Sequence, residues 1–512
     1  MKLEQLSPEN ISTILGKKLC LFQASKKYIE EMEQKYGVLK NIEMIIRKTV
    51  KNNSLMVLDK TIPLYEYSYL DTICTDEYAF IIADGYYREI YEQIEQVKSI
   101  NTSDRVIYFF PNNNTEIYLY YKDKYKNQPL DDIIVFRSGP SKDAYIEGMD
   151  FYDNARALFE HMVKNGYNEK YELVWFVKDP QKHTDYAGIK NVTFMSFDWA
   201  ETDNVEQRNA YYRALCLAKY IFFTDAHGFC REARAGQLRI QLWHGCGYKY
   251  SKGRNYHEKR YEYYTVVSDI YGNLFQNING LRKDQILVTG YPKADWLLEK
   301  SEIDYLELLN IPSASKYIFW LPTFRMVSNE GLSYLNEYSD ASETGLPVVD
   351  TYEKMNELNG YLKNRNIQLV IKLHPFQKKE DIDCGNPSNI FLLGNKELCN
   401  HDIMINRLLA YADALISDYS SVTTDYLLLN RPIAFTLDDI EEYKNSRGFM
   451  FDNICDWLPG KEIWNMTDFI HFAGMIADGQ DFDRHKRQNL REKLLKYHDG
   501  NNSQRVLDML NI

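Results

Sequence analysis

The chain has 512 residues, with 61 Lys and Arg against 73 Asp and Glu, a formal net charge of −12. At 45% hydrophobic and 26% charged it is a globular protein able to bury sizeable cores, which excludes disordered, collagen-like and fibrous classes. The acidic balance argues against a general nucleic-acid binder, whose work is done by cationic surface, and no apolar run reaches the ~18 residues of a membrane span.

Length alone suggests about three domains at ~150 residues each. The polar start, MKLEQLSPENIST, lacks the apolar core of a signal peptide. Eight cysteines are scattered without C-x-x-C spacing, so neither a structural zinc site nor a disulfide framework is expected, and a reducing compartment is. The 41 tyrosines allow two readings: platforms for carbohydrate, or half-buried positions filled with Tyr.

Short runs rich in Val, Ile, Phe and Tyr alternate with longer helical patterns, the rhythm of parallel-sheet α/β proteins. In residues 1–128, predicted strands at 17–22 (KKLCLF), 42–46 and 78–83 (YAFIIA) are interleaved with helical patterns, the last over 87–97. The first strand–turn–helix is where a dinucleotide fold carries G-x-G-x-x-G. Here it reads Phe22-Gln23-Ala24-Ser25-Lys26-Lys27, and Arg47-Lys48 stands where an acid should follow the second strand. The expectation is a degenerate Rossmann-like domain without cofactor, serving as scaffold or in acceptor recognition. Polar segments 111–115 and 122–128 are the linker candidates.

Two further α/β series follow. Strands are predicted at 133–137, 172–177, 192–197, 220–224, 239–244, 264–268 and 285–290, then at 316–322, 368–374, 390–394, 414–417 and 432–436. The boundary falls near 299–312, which implies two facing Rossmann-like lobes, 129–303 and 304–512. Residues 483–510 are helical in pattern and suited to packing back across both.

Ligands of open α/β sheets bind beyond the carboxyl ends of strands. Those ends carry His244 in Gln241-Leu242-Trp243-His244-Gly245, Arg325 in Leu321-Pro322-Thr323-Phe324-Arg325, and Lys372 and His374 in Lys372-Leu373-His374-Pro375. Ser417-Asp418-Tyr419-Ser420-Ser421 joins a strand to a predicted helix over 422–430, with Val422, Tyr426 and Leu429 on one face. Ser420 or Ser421 would cap that helix, and the junction reads either as a plain capped turn or as a phosphate site. Each histidine alone could be a buried structural imidazole. Two histidines with arginines at facing strand ends could instead supply base, acid and cationic clamps around a phosphoryl group. No H-x-x-x-H or acidic cluster accompanies either histidine, so no metal is expected. Lys249, Lys252, Arg254, Lys259 and Arg260 against Glu258 make a basic patch, either a solvated loop or a surface for an anionic acceptor or lipid. Arg447 beside Gly448 offers another cation.

Taken together, QLWHG (241–245), GYPKAD (290–295), LPTFR (321–325), KLHP (372–375), SDYSSVTTDYLLLNRP (417–432), YKNSRGF (443–449) and YHDGNNSQR (497–505) resemble, in order, the CDP-glycerol glycerophosphotransferase family of teichoic-acid and capsule enzymes. The resemblance covers about residues 130–510. It implies a two-lobed GT-B glycosyltransferase architecture, with the acceptor side in the first lobe and the donor side in the second. The implied reaction moves glycerol phosphate from CDP-glycerol, or ribitol phosphate from CDP-ribitol, to a hydroxyl of a polymer or lipid-linked acceptor, releasing CMP. His244 would be base on the acceptor hydroxyl and His374 would assist departure of CMP. Ser420, Ser421 and Lys372 would hold phosphate, Asp418 would set the turn, and Arg325 and Arg447 would offset pyrophosphate charge. A cytoplasmic enzyme, peripheral on the inner membrane face, is the implied setting. A nucleotide-sugar glycosyltransferase of the same fold and a non-catalytic assembly scaffold are the alternatives. Two departures stand out: Lys293 replaces the family's usual arginine, and Cys246-Gly247-Tyr248 replaces the usual exit after the histidine, which bears on acceptor specificity.

Overall fold

The computed structural model describes the chain apart from residues 51, 86, 103, 112, 140–146, 226–228, 231, 251–259, 300, 323–342, 374–386 and 447. It divides into two compact units. The first is Met1–Asp131 with Met195–Lys219 and Gly228–Gln237; the second is Asp132–Phe194, Tyr220–His227 and Leu238–Ile512.

The first unit holds a seven-stranded sheet in the order Lys2–Gln5, Val106–Phe109, Tyr78–Ile82, Lys18–Phe22, Ile42–Arg47, Lys60–Glu66, Ser54–Val57. All neighbours pair in parallel except the last two, an antiparallel hairpin. Its central strands are apolar on both sides because both faces are covered. Leu19, Leu21, Ile45 and Ile81 lie in one core, and Cys20, Phe22, Met44, Ile46 and Phe80 in the other. The turn after Lys18–Phe22 takes the left-handed conformation at Gln23, φ 57°, where a dinucleotide fold would use glycine. Arg47 then donates from Nη2 to the Ala24 carbonyl at 2.7 Å. The side chain standing at the ribose-binding position is thus spent on pinning the turn.

The edge strands Lys2–Gln5 and Ser54–Val57 escape sequence reading, because both are only four residues long and largely exposed. The linker candidates are a correction. The helix Asn113–Tyr125 runs through most of both segments and packs on the helix Val205–Leu217, with Tyr121 stacked on Tyr212 at 4.5 Å. Tyr118, Tyr121 and Tyr125 give it a packing face that its Asn- and Lys-rich composition hides. Elsewhere Tyr248, Tyr264, Tyr271, Tyr291, Tyr419, Tyr426 and Tyr443 are fully buried, so these tyrosines fill cores and form no exposed platform.

The second unit contains two sheets. One runs Val192–Ser196, Glu172–Val177, Asp131–Gly139, Ala218–Asp225, Leu238–Gln241, Tyr263–Val266, Ile286–Val288. The other runs Ile390–Leu393, Ile367–Lys372, Lys316–Trp320, Ala414–Ser417, Ile433–Thr436, Lys461–Ile463, parallel throughout. Each sheet grows outward in both directions from a central pair. That pair is Asp131–Gly139 with Ala218–Asp225 in the first lobe, and Lys316–Trp320 with Ala414–Ser417 in the second. Such reversals open a crevice at the carboxyl ends of the two strands.

The C-terminal segment is two helices, Arg484–Leu494 and Asn502–Leu510, rather than one continuous pattern. Val506, Leu507 and Leu510 join the first lobe's core. Asp295 caps the last helix, accepting from the Asn502 and Ser503 amides at 2.9 and 2.8 Å and from Ser503 Oγ at 2.8 Å. A Cβ at Gly290, φ +76°, would meet Asn502 Oδ1 at 2.1 Å. The GYPKAD and NNSQR segments are therefore two halves of one joint. Among the described residues no helix is long and apolar enough to cross a membrane.

Candidate active site

The two crevices face a common cleft of about 870 Å³. Tyr152, Asp153, Trp243, His244 and Gly245 line it from the first lobe; Pro322, Lys372, Tyr419, Ser420 and Ser421 line it from the second.

The strand Leu238–Gln241 stops three residues before His244, earlier than the predicted 239–244. Trp243 turns the chain out of the sheet at φ 58°, an unfavourable conformation for a bulky residue, and Gly245 follows at φ +156°. Neighbouring groups hold this loop in place. Gln241 accepts from the Trp243 amide at 3.0 Å and donates from Nε2 to the Asp225 carbonyl at 3.1 Å. Asn154 Nδ2 donates to the Leu242 and Trp243 carbonyls at 3.3 and 2.9 Å. Lys293 Nζ donates to the His244 carbonyl at 2.5 Å.

His244 Nδ1 lies 2.6 Å from Asp225 Oδ1, and Tyr152 Oη donates to the other carboxylate oxygen at 2.8 Å. An ionised Asp225 places the proton on Nδ1 and leaves Nε2 as the basic nitrogen. The side chain is 45% exposed, within the cleft. Burial opposes charge on the ring, but Asp225, with Asp153 adding to it, more than offsets this, and the imidazole pKa is raised above its ordinary 6.5.

Across the cleft, Leu321 and Pro322 follow Lys316–Trp320, and Tyr419, Ser420 and Ser421 follow Ala414–Ser417. The helix after Ser421 is shorter than predicted: Val422–Tyr426, then a 3₁₀ turn Leu427–Leu429 ended by Asn430 at φ 51°. Ser421 is itself helical, at φ −64° and ψ −16°, and its side chain makes no capping bond. Its position is fixed by contact with the other lobe. A Cβ on Gly245 would lie 2.3 Å from Ser421 Oγ, and one on Gly247 would lie 3.0 Å from the Ser421 amide nitrogen. Only glycines let the histidine loop approach the serine turn this closely. The loop also forms an antiparallel bridge from Lys249 to Phe449, with Tyr250 N donating to Gly448 O at 3.1 Å and Met450 N to Tyr248 O at 2.8 Å.

Lys372 is buried at the end of its strand, where Nζ donates to the Leu373 carbonyl at 2.5 Å, and burial pulls its pKa down to about 8. Asp418 is fully buried at its strand end. Lys249 lines the cleft. His374, Arg325, Arg447, Lys252 and Arg254 lie outside the described residues. The structure thus brings His244, Lys372, Ser420, Ser421 and Lys249 together around one cleft.

Sequence reasoning passed over Asp225, Tyr152, Asp153 and Asn154. Asp225 was within reach, since it directly follows the apolar run 220–224 and so stands at a strand end like the others.

The family model for CDP-glycerol:poly(glycerophosphate) glycerophosphotransferase matches residues 131–511. A teichoic acid glycerol-phosphate transferase of Staphylococcus aureus (strain NCTC 8325 / PS 47) is 25% identical over 386 residues, 70% of this chain and 89% of the relative. A teichoic acid glycerol-phosphate primase of Bacillus subtilis (strain 168) is 29% identical over 250 residues, 49% of this chain and 57% of the relative, so the match spans little more than half of that protein. In fold, the structure is similar to that of the wall teichoic acid polymerase TagF, with TM-score 0.59 and 20% identity over 83% of this chain and 97% of the other. With the family model matching over most of its length, the chain belongs to the CDP-glycerol:poly(glycerophosphate) glycerophosphotransferase family.

Proposed function

We propose that this protein transfers glycerol phosphate from CDP-glycerol to a hydroxyl of a teichoic-acid-like or capsular acceptor and releases CMP. The observation that carries this reading is the Asp225–His244 pair facing Ser420 and Ser421 across one cleft.

The acceptor hydroxyl attacks the phosphorus that bears glycerol. The bond from that phosphorus to the bridging pyrophosphate oxygen breaks, and CMP leaves with the bonding electrons. His244 Nε2 takes the hydroxyl proton while Asp225 steadies the imidazolium. A loose phosphoryl-transfer transition state asks mainly for positioning and charge compensation. Lys372, Ser420 and Ser421 supply these from the second lobe. His374, Arg325 and Arg447 enter by motif resemblance, His374 beside the departing CMP and the arginines on the pyrophosphate. Lys249, with Lys252 and Arg254, would meet an anionic polymer or lipid-linked acceptor, drawing the enzyme to the inner membrane face.

Incubation with CDP-glycerol, CDP-ribitol and UDP-sugars in turn, with chromatography of the nucleotide released, tests this. CMP from CDP-glycerol in an acceptor-dependent reaction supports the reading. CMP from CDP-ribitol alone assigns the other alditol, and UDP release from a sugar donor overturns both.

A further inference from the structure

Lys293, in the GYPKAD segment, is used by none of the chemistry above, yet it is a buried cation with carboxylate partners in both lobes. Its side chain is 7% exposed. Its ammonium lies 3.0 Å from Asp153 Oδ2 in the first lobe, 3.4 Å from Asp425 Oδ2 in the second, and donates to the His244 carbonyl at 2.5 Å. Asp425 is 3% exposed, sits one turn beyond Ser421, and is also contacted by Asn406 Nδ2 at 3.5 Å. On the other side, the Lys293 amide donates to Asn154 Oδ1 at 3.1 Å, and Asn154 holds the two preceding carbonyls of the histidine loop. Three successive carbonyls, Leu242, Trp243 and His244, thus rest on donors from Asn154 and Lys293.

Two buried carboxylates from different lobes repel one another unless a cation stands between them, and a lone buried charge is strongly unfavourable. Burial raises the pKa of both Asp153 and Asp425, and Lys293 opposes the rise. For Lys293, the two acids outweigh burial and keep it protonated. The ammonium therefore does two things at once. It closes the second lobe's Ser421–Asp425 turn onto the first lobe, and it fixes the carbonyl of His244 in a backbone conformation that Trp243 enters only under strain.

We propose that Lys293 is a positioning residue that ties the donor-side Asp425 to the His244 loop, so that the base is aimed only when the two lobes are joined. This rests on the assignment of His244 as base. The charges facing the imidazole are Asp225, Asp153 and Lys293, with Asp425 behind the last. Removing the ammonium leaves only carboxylates and raises the imidazole pKa further, whereas neutralising Asp425 lowers it.

The test is CMP release from CDP-glycerol by K293M, K293R and D425N across pH 5–9, beside H244A and with thermal melts of each. K293M should lose about 10-fold or more in kcat with little change in KM for CDP-glycerol. Its acidic limb should move to higher pH, that of D425N to lower pH, and K293R should recover most of the activity and the original limb. Unmoved limbs in both K293M and D425N, with activity loss following only the drop in Tm, would overturn the proposal. If K293M does not fold, the direction of the D425N shift decides. An active H244A would instead overturn the base assignment, which separates the two failures.

Discussion

Asp225 and His244 stand 19 residues apart in sequence and meet at 2.6 Å because their strands are parallel neighbours, with Phe223 paired to Gln241. The pair also has a second anchor, Tyr152, on the far carboxylate oxygen. A carboxylate held from both sides keeps one tautomer and one ring orientation, which is what a base at the mouth of a cleft requires.

Replacing Asp225 with Asn should therefore lower kcat by about 10²-fold while leaving KM for CDP-glycerol within a few-fold. Steady-state kinetics of D225N, set against Y152F, checks this. The tyrosine change should be the milder, since it removes a support of the carboxylate and leaves the carboxylate itself.

The pH profile of kcat/KM should be a narrow bell. The base proposed here, His244, must be neutral to accept a proton, and its pKa is raised by Asp225 against the effect of burial, so the ascending limb lies above 6.5. The proposed contact of Lys372 with an anionic donor needs the charged amine, and burial brings its pKa to about 8, so the descending limb lies near there. K372M should abolish the descending limb and raise KM, which initial rates over pH 5.5–9.5 would show.

Gly245→Ala should sharply reduce activity with a modest loss of stability. The new Cβ would sit 2.3 Å from Ser421 Oγ, and the φ of +156° disfavours any side chain. Relieving the clash moves the histidine loop away from the serine turn. CMP release and thermal melts of G245A beside wild type check this.

Asp295→Ala removes three hydrogen bonds from the start of the helix Asn502–Leu510. A lost helix cap of this kind costs about 1–2 kcal/mol. Differential scanning calorimetry should show a lower Tm, and limited proteolysis should cut first between 495 and 501. The catalytic pH profile should not move.

The lobes are legible in the sequence because parallel strands buried on both faces read as short apolar runs, and Glu172–Val177 and Ala414–Ser417 fall where those runs predict them. What escapes is what depends on partners distant in sequence. The exposed edge strand Lys2–Gln5 is defined by its neighbour Val106–Phe109. The break between the two terminal helices is fixed by Asp295, some 200 residues earlier. His244 is visible as a strand-end histidine, but its partner is visible only once the strand order is known. By motif resemblance Lys293 is only a departure from the family's usual arginine. In the structure it is occupied by Asp153, Asp425 and the His244 carbonyl.

If His244, oriented by Asp225, is the base for transfer from CDP-glycerol, loss of its imidazole must abolish acceptor-dependent turnover. Quantifying CMP released by wild type and H244A at saturating CDP-glycerol, with an acceptor bearing a free glycerol-phosphate hydroxyl, tests it most directly. The wild type should release CMP only with acceptor present, and H244A should lose at least about 10²-fold with its fold intact by circular dichroism. Near-normal release by folded H244A would contradict it.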